Sequence, residues 1–307
     1  MRTATAASAA ALVLLGCTRE PPSAPPPAPP PPEATRAAAE GEPQITTSPD
    51  GVHIQYRLYG SGEPAVVLVH GWSADSSYWR GQLDDLKTRY TVVTVDLAGH
   101  GGSGRNRADW SMGSFGEDVA AAVRDIPATR LVLVGHAMGG PVALEAASRM
   151  AERVIGIIGV EAFRSIGQPP LPRTAVDRQI EELRRDFIGN TRKLVSESFF
   201  TKSADPLFVR KVADDMALAP PEVATGSIIG LNAMDFGAVL PKISVPIVAI
   251  NSDLPPPTDE ERIRRMAPTF RAFTLANTGH FLMMEEPQRF NPVLLREIAA
   301  LAGDADE

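Results

Sequence analysis

The chain has 307 residues, 44% hydrophobic and 22% charged, with a formal net charge of -7 at pH 7. That length allows one large domain or two small ones and enough apolar sequence for a substantial core. The mild acidity, without any run of Lys and Arg, argues against a nucleic-acid groove, and the single cysteine excludes an intramolecular disulfide or a cysteine metal cluster. Five scattered histidines without a His-Glu-x-x-His pair leave no expectation of a zinc site.

Residues 1–16 carry Arg2 and then an Ala/Leu run to Leu15, the charged and apolar regions of an export signal. The run is too short and too rich in Ala for a membrane-spanning helix. Leu14-Leu15-Gly16-Cys17 resembles the lipobox of bacterial lipoproteins, in which the cysteine receives lipid and becomes the new N-terminus. The resemblance implies a signal over residues 1–17 and lipidation at Cys17. The protein would then be exported and held on a membrane of the bacterial cell envelope. The alternative is an ordinary cleaved signal with an incidental cysteine. Residues 21–32 are almost all Pro and Ala, which favours extended polyproline II and a semi-rigid spacer of roughly 35 Å. Residues 18–45 as a whole read as a disordered linker.

His53–Tyr59 alternates polar and apolar residues, as a half-buried strand does. Ala65–Val69 is a continuous apolar run, as expected of a strand buried on both faces, and it leads into His70-Gly71-Trp72. Residues 77–86 have helical spacing, with Trp79, Leu83 and Leu86 on one face. A strand at 90–95 ends in Asp96, followed by the glycine-dense Leu97-Ala98-Gly99-His100-Gly101-Gly102-Ser103-Gly104. Residues 112–126 again read as helix.

The apolar run 131–134 then enters Gly135-His136-Ala137-Met138-Gly139-Gly140, and residues 141–150 read as helix. Strand, Gly-x-?-x-Gly, helix is the setting of a nucleophile elbow. Val154–Val160 is a further apolar strand, ending in Glu161-Ala162-Phe163. A carboxylate there is unexpected for packing, and the carboxyl ends of such strands are where sites gather. Residues 164–239 are charged, helix-like and broken by prolines. Phe187, Phe199, Phe200, Met216, Ile228 and Met234 in this stretch either line a cavity or form its own core, and its arginines read as a solvated face. Strands follow at 247–250, before Asn251-Ser252-Asp253, and at 270–275, before Asn277-Thr278-Gly279-His280-Phe281. A last helix has Phe290, Leu294 and Ile298 on one apolar face.

These motifs, in this order, resemble the α/β-hydrolase family from about Thr46 to the C-terminus. The family's elbow usually reads Gly-His-Ser-Met-Gly-Gly, and its Asp-x-x-Gly-x-Gly-x-Ser and Gly-His-Phe-x-x-x-Glu-x-Pro segments match residues 96–103 and 279–287. The resemblance implies an α/β-hydrolase fold: a mostly parallel central sheet with helices on both faces and a helical cap insertion. The core would be residues 46–163 and 240–303, and the cap 164–239. It implies that position 137 is the nucleophile slot, that His280 is the base, and that the main-chain N–H groups of Trp72 and Met138 form the oxyanion hole. His70, Gly71, Phe163 and Phe281 are expected beside the substrate, His70 more as a turn residue than a proton carrier. Asp96 and His100 are expected to serve loop architecture.

Two carboxylates remain open as the acid. Asp253 follows the usual strand, but the interval from Pro246 is shorter than the common spacing. Glu161 follows the preceding strand, as in haloalkane dehalogenases, and Glu-x-Phe resembles their local sequence. Dehalogenases and epoxide hydrolases carry Asp as nucleophile, often followed by Trp, so Met138 points to the serine branch. The implied reaction is carboxylic-ester hydrolysis of a small molecule through an acyl-enzyme, without metal or cofactor. Yet position 137 is alanine, which has no lone pair with which to attack a carbonyl. Either a Ser→Ala change has disabled an enzyme, or this is a natural relative that lost catalysis and binds a ligand or partner.

Overall fold

The computed structural model describes residues 40–304. The expected export signal, Cys17 and nearly all of the proline-rich segment lie outside them.

Eight strands form one sheet: β1 (Pro43–Thr47), β2 (His53–Tyr59), β3 (Ala65–Val69), β4 (Thr91–Val95), β5 (Leu131–His136), β6 (Val154–Val160), β7 (Ile247–Ser252) and β8 (Arg271–Leu275). Their spatial order is β1-β2-β4-β3-β5-β6-β7-β8. The β1–β2 and β2–β4 pairs are antiparallel, and every other pair is parallel. β1 corrects the sequence reading, which ran the linker to residue 45. It is an edge strand whose faces are only partly covered, with Ile45 55% exposed, so it lacks the apolar run that marks a buried strand.

The helices are α1 (Arg80–Leu86), α2 (Met112–Ala122), α3 (Gly139–Arg149), α4 (Arg173–Arg185), α5 (Phe187–Ser198), α6 (Pro206–Met216), α7 (Pro221–Asn232), α8 (Phe236–Val239), α9 (Glu260–Arg264), α10 (Leu282–Glu285) and α11 (Pro287–Ala302). Successive side chains of a strand point to opposite faces, and the core divides accordingly. Val67, Val69, Leu131 and Leu133 pack with Phe115 and Val119 of α2 and Val142 of α3. Their neighbours Val66, Leu68, Val132 and Val134 pack with Leu86 of α1 and Phe290, Leu294 and Ile298 of α11. Fully buried β3 and β5 thus carry helices on both sides, which is why they read as unbroken apolar runs.

Helices α4 to α8 all lie in the chain between β6 and β7. They hold a smaller apolar cluster of their own, including Val176, Ile180, Leu183, Phe187 and Ile228. Helix α7 is pressed onto the core at Gly230, where a Cβ would come 2.2 Å from the carbonyl oxygen of Trp110.

Candidate active site

β5 ends at His136 and α3 starts at Gly139, so the chain reverses within two residues. Ala137 takes up the turn with φ 47, a left-handed conformation that a residue with a Cβ adopts at a cost. Its N–H donates to the Val160 carbonyl at 2.8 Å, and its own carbonyl accepts the Gly140 N–H at 3.0 Å. Strand and helix backbones crowd here: a Cβ on Gly135 would lie 2.1 Å from the Gly139 carbonyl oxygen, and one on Gly139 2.5 Å from that of Val69. This close approach is why the flanking positions are glycine.

His280 sits between β8 and α10. Its Nδ1 lies 3.2 Å from Oε2 of Glu161, the residue that follows β6. Its main-chain N–H donates to the Phe199 carbonyl at 2.7 Å, and its ring stacks on the Phe199 ring with centroids 4.6 Å apart. Glu285 accepts the N–H groups of Gly279 and Phe281, each at 3.1 Å, so the backbone is pinned on both sides of the imidazole. The His136 ring packs 4.8 Å from that of His280, its Nε2 2.9 Å from the His280 carbonyl oxygen. Burial pushes His136 down to about 3, so it stays a neutral imidazole.

Glu161 is buried, which alone would raise its carboxyl. Hydrogen bonds and charge from His280 and Arg164 outweigh that and hold it at about 2. Arg164 forks onto it, Nη1 to Oε2 at 2.8 Å and Nη2 to Oε1 at 3.0 Å, and the Ser252 N–H also donates to Oε1. Asp253 stands apart. It is exposed, and its carboxyl is lowered chiefly by the Asn277 main-chain amide, in the turn leading to His280. Of the two candidate acids, the structure therefore puts Glu161 on the imidazole. The reason is the sharp turn after β6, in which Glu161 (φ 53) and Phe163 (φ 71) both take left-handed backbone.

Ala137, Met138, Trp72, Glu161, Phe163, His280 and Phe281 line one cavity of about 1060 Å³. Among the described residues, the main-chain N–H groups of Trp72 and Met138 donate to no protein oxygen. The Trp72 indole donates to the Ala224 carbonyl of α7 at 2.8 Å, tying this loop to the inserted helices. His70 and Gly71, expected beside the substrate, are not among the residues that line the cavity. His70 is fully buried, with Nδ1 donating to the Gly71 carbonyl at 2.8 Å and Nε2 accepting the Leu97 N–H at 3.0 Å. Both ring nitrogens are used in bracing loops. Gly71 backs the elbow instead: a Cβ there would lie 2.8 Å from His136 Nδ1 and 3.4 Å from the Ala137 methyl. Asp96 accepts from the N–H groups of Ser76 and Gly102 and from the Gln55 amide, and His100 is buried on the Ala98 carbonyl. Both hold the loop around them.

The inserted helices contribute Phe199, Met216, Ile228, Leu231 and Met234 to the cavity wall. Phe187 packs among those helices, and Phe200 lies in the cluster beneath them. Sequence reasoning missed Arg164, read as part of a solvated face. The available signal was an arginine three residues after a carboxylate at a strand end. It also missed the Phe199 carbonyl, for which no sequence signal exists.

Comparison with known proteins places these positions in a wider set. A stretch of 112 residues, 36% of this chain, is 36% identical to an uncharacterized protein of Mycobacterium tuberculosis and spans 33% of that protein's length. The pimeloyl-[acyl-carrier protein] methyl ester esterase of Legionella pneumophila is 28% identical over 246 residues, 78% of this chain and 96% of that protein. A solved esterase from Thermogutta terrifontis superposes with a TM-score of 0.75 at 24% identity, over 85% of this chain and 99% of the other, a likeness of fold. The model of the alpha/beta hydrolase family matches residues 66–293, a span that contains the elbow, Glu161 and His280 alike. The chain therefore belongs to the alpha/beta hydrolase family.

Proposed function

We propose that this chain carries a serine-type site for carboxylic-ester hydrolysis, disabled as written because the nucleophile position holds Ala137. The observation that carries the reading is the contact of His280 Nδ1 with Glu161, in the wall of the cavity that also contains Ala137. An imidazole that gives its Nδ1 hydrogen to a carboxylate keeps Nε2 as its basic nitrogen.

With serine at position 137, His280 would take the hydroxyl proton as the oxygen attacks the ester carbonyl carbon. The carbonyl electron pair moves onto oxygen, and the N–H groups of Trp72 and Met138 would receive the oxyanion. Collapse expels the alcohol, which leaves with the proton from His280. Water, deprotonated by His280, then attacks the acyl-enzyme, and the carboxylic acid departs with the serine restored. Alanine supports none of the covalent steps but leaves the cavity and the base unchanged.

The ligand is a neutral ester with an apolar acyl or alcohol group. Apolar side chains dominate the wall, and two of its charged groups, Glu161 and Arg164, neutralise each other. The Legionella relative's being a methyl ester esterase supports the ester class. The test is to make Ala137→Ser and treat it with a fluorophosphonate probe and a panel of neutral p-nitrophenyl esters. Labelling and turnover, both lost again on adding His280→Ala, support the enzyme. A folded serine variant that neither labels nor turns over refutes it.

The methyl of Ala137 is itself the ground for a second reading, a natural pseudo-hydrolase that binds its ligand without cleaving it. On either reading we propose that the domain hangs from a bacterial envelope membrane by lipid on Cys17. Cys17→Ala should move the protein from the membrane to the soluble fraction, and unchanged fractionation would end that idea.

A further inference from the structure

We propose that Arg164 is a positioning residue that shares the Glu161 carboxylate with His280 and so limits how tightly the imidazole holds a proton. The inference rests on reading Glu161 and His280 as the acid–base pair, and not on the identity of residue 137.

Oε2 of Glu161 has two donors at once, Arg164 Nη1 at 2.8 Å and His280 Nδ1 at 3.2 Å. The shorter contact goes to the arginine. The guanidinium is itself fixed: Nη2 also donates to the Ser252 carbonyl at 2.8 Å, and the Arg164 carbonyl accepts from Arg262 Nη2 at 2.8 Å. Its side chain is only 16% exposed, so water screens it little. A guanidinium stays charged at every relevant pH. When His280 takes a proton, a second cation therefore forms beside one carboxylate already held by the first.

The other titratable groups near the imidazole do not reproduce this. His136, on the elbow, stays neutral. Glu285, from α10, is bound to the N–H groups on either side of His280. Asp253 is exposed in the loop after β7. The inserted helices present the uncharged ring of Phe199. A permanent cation on the acid should therefore leave His280 neutral, and able to act as a base, at more acidic pH than an unshared carboxylate would.

The experiment is an NMR pH titration of the histidine side chains in the protein as it stands, with the His280 signal assigned by its loss in His280→Asn. In Arg164→Gln the His280 midpoint should rise, by on the order of tenfold in proton affinity, while His53 is unmoved. In Arg164→Lys, which keeps a charge but cannot fork, the shift should have the same sign and be smaller. A purely structural arginine predicts the opposite sign, because Glu161 would drift from the imidazole and stop stabilising its charged form. A downward or absent shift, in Arg164→Gln or in Arg164→Lys should the first fail to fold, overturns the proposal. The titration needs no turnover, so an unreactive Ala137→Ser protein would refute the proposed function and leave this result standing.

Discussion

Nδ1 of His280 lies 3.2 Å from Oε2 of Glu161, although 119 positions of chain separate the two residues. The contact selects between two carboxylates that sequence reasoning left open. Measured in the Ala137→Ser background, Glu161→Gln should lower kcat by roughly 10³- to 10⁴-fold, as loss of the orienting carboxylate does in other triads. Asp253→Asn should leave kcat within about twofold, since exposed polar changes away from the reacting atoms do little. Steady-state kinetics on a p-nitrophenyl ester decides it, and equal losses in both variants would contradict the assignment.

Placing serine at position 137 gives the second expectation. In another serine enzyme, loss of the nucleophile costs about a million-fold in turnover, so Ala137→Ser should gain by a factor of that order. Binding of a neutral ester should change little, because the cavity is the same. Calorimetric titration of both forms with a non-hydrolysable ether analogue checks the second half.

The turn carries a third. Ala137 holds φ 47, which costs a residue with a Cβ about 1–2 kcal/mol. Glycine removes that cost and loses part of the gain through its freer unfolded chain. Ala137→Gly should thus be more stable by about 0.5–1 kcal/mol in urea denaturation. A destabilised glycine variant would mean that the methyl's packing outweighs the backbone strain.

Acid should unfold the protein in two overlapping windows. His100 and His136 are pushed down by burial to about 3, against an ordinary histidine value of about 6.5. The unfolded chain therefore binds protons that the folded chain refuses, and stability falls as pH drops from about 6.5 towards 3. Glu161 is a depressed carboxyl, at about 2 against 4.5. Its contribution is fully present above about 4.5 and disappears as pH falls through 2. Urea midpoints measured across this range should decline steadily, and His136→Asn, if folded, should flatten the upper window. A flat profile down to pH 3 would contradict the buried neutral histidines.

The inserted helices supply a fifth. A Cβ at Gly230 would meet the Trp110 carbonyl oxygen at 2.2 Å, which no side-chain rotation relieves. Gly230→Ala should therefore cost about 1–3 kcal/mol, the usual range for overpacking. It should also disturb ligand binding, because α7 holds the Trp72 indole through the Ala224 carbonyl. Wild-type thermal stability and affinity in this variant would show that α7 is free to shift.

The sheet, the two helical layers and the elbow were legible along the chain because each rests on local physics. A strand buried on both faces must be apolar throughout, as Ala65–Val69 is, and a turn with crossing backbones must be flanked by glycine, as residue 137 is. β1 escaped because an edge strand buries too little to leave an apolar pattern.

Tertiary structure alone decided the partners. Which of Glu161 and Asp253 meets His280 depends on how the backbone turns after β6, and no spacing rule encodes that turn. That His70 is spent on bracing loops follows from contacts with Leu97 and Gly71 that only folding creates. Arg164 reads as surface charge in sequence and becomes a half-buried fork on Glu161 in three dimensions. Periodicity reports how much of a residue is buried and on which face. The energy of a charge depends on which groups surround it within a few ångströms, and that is set by the packing of distant segments.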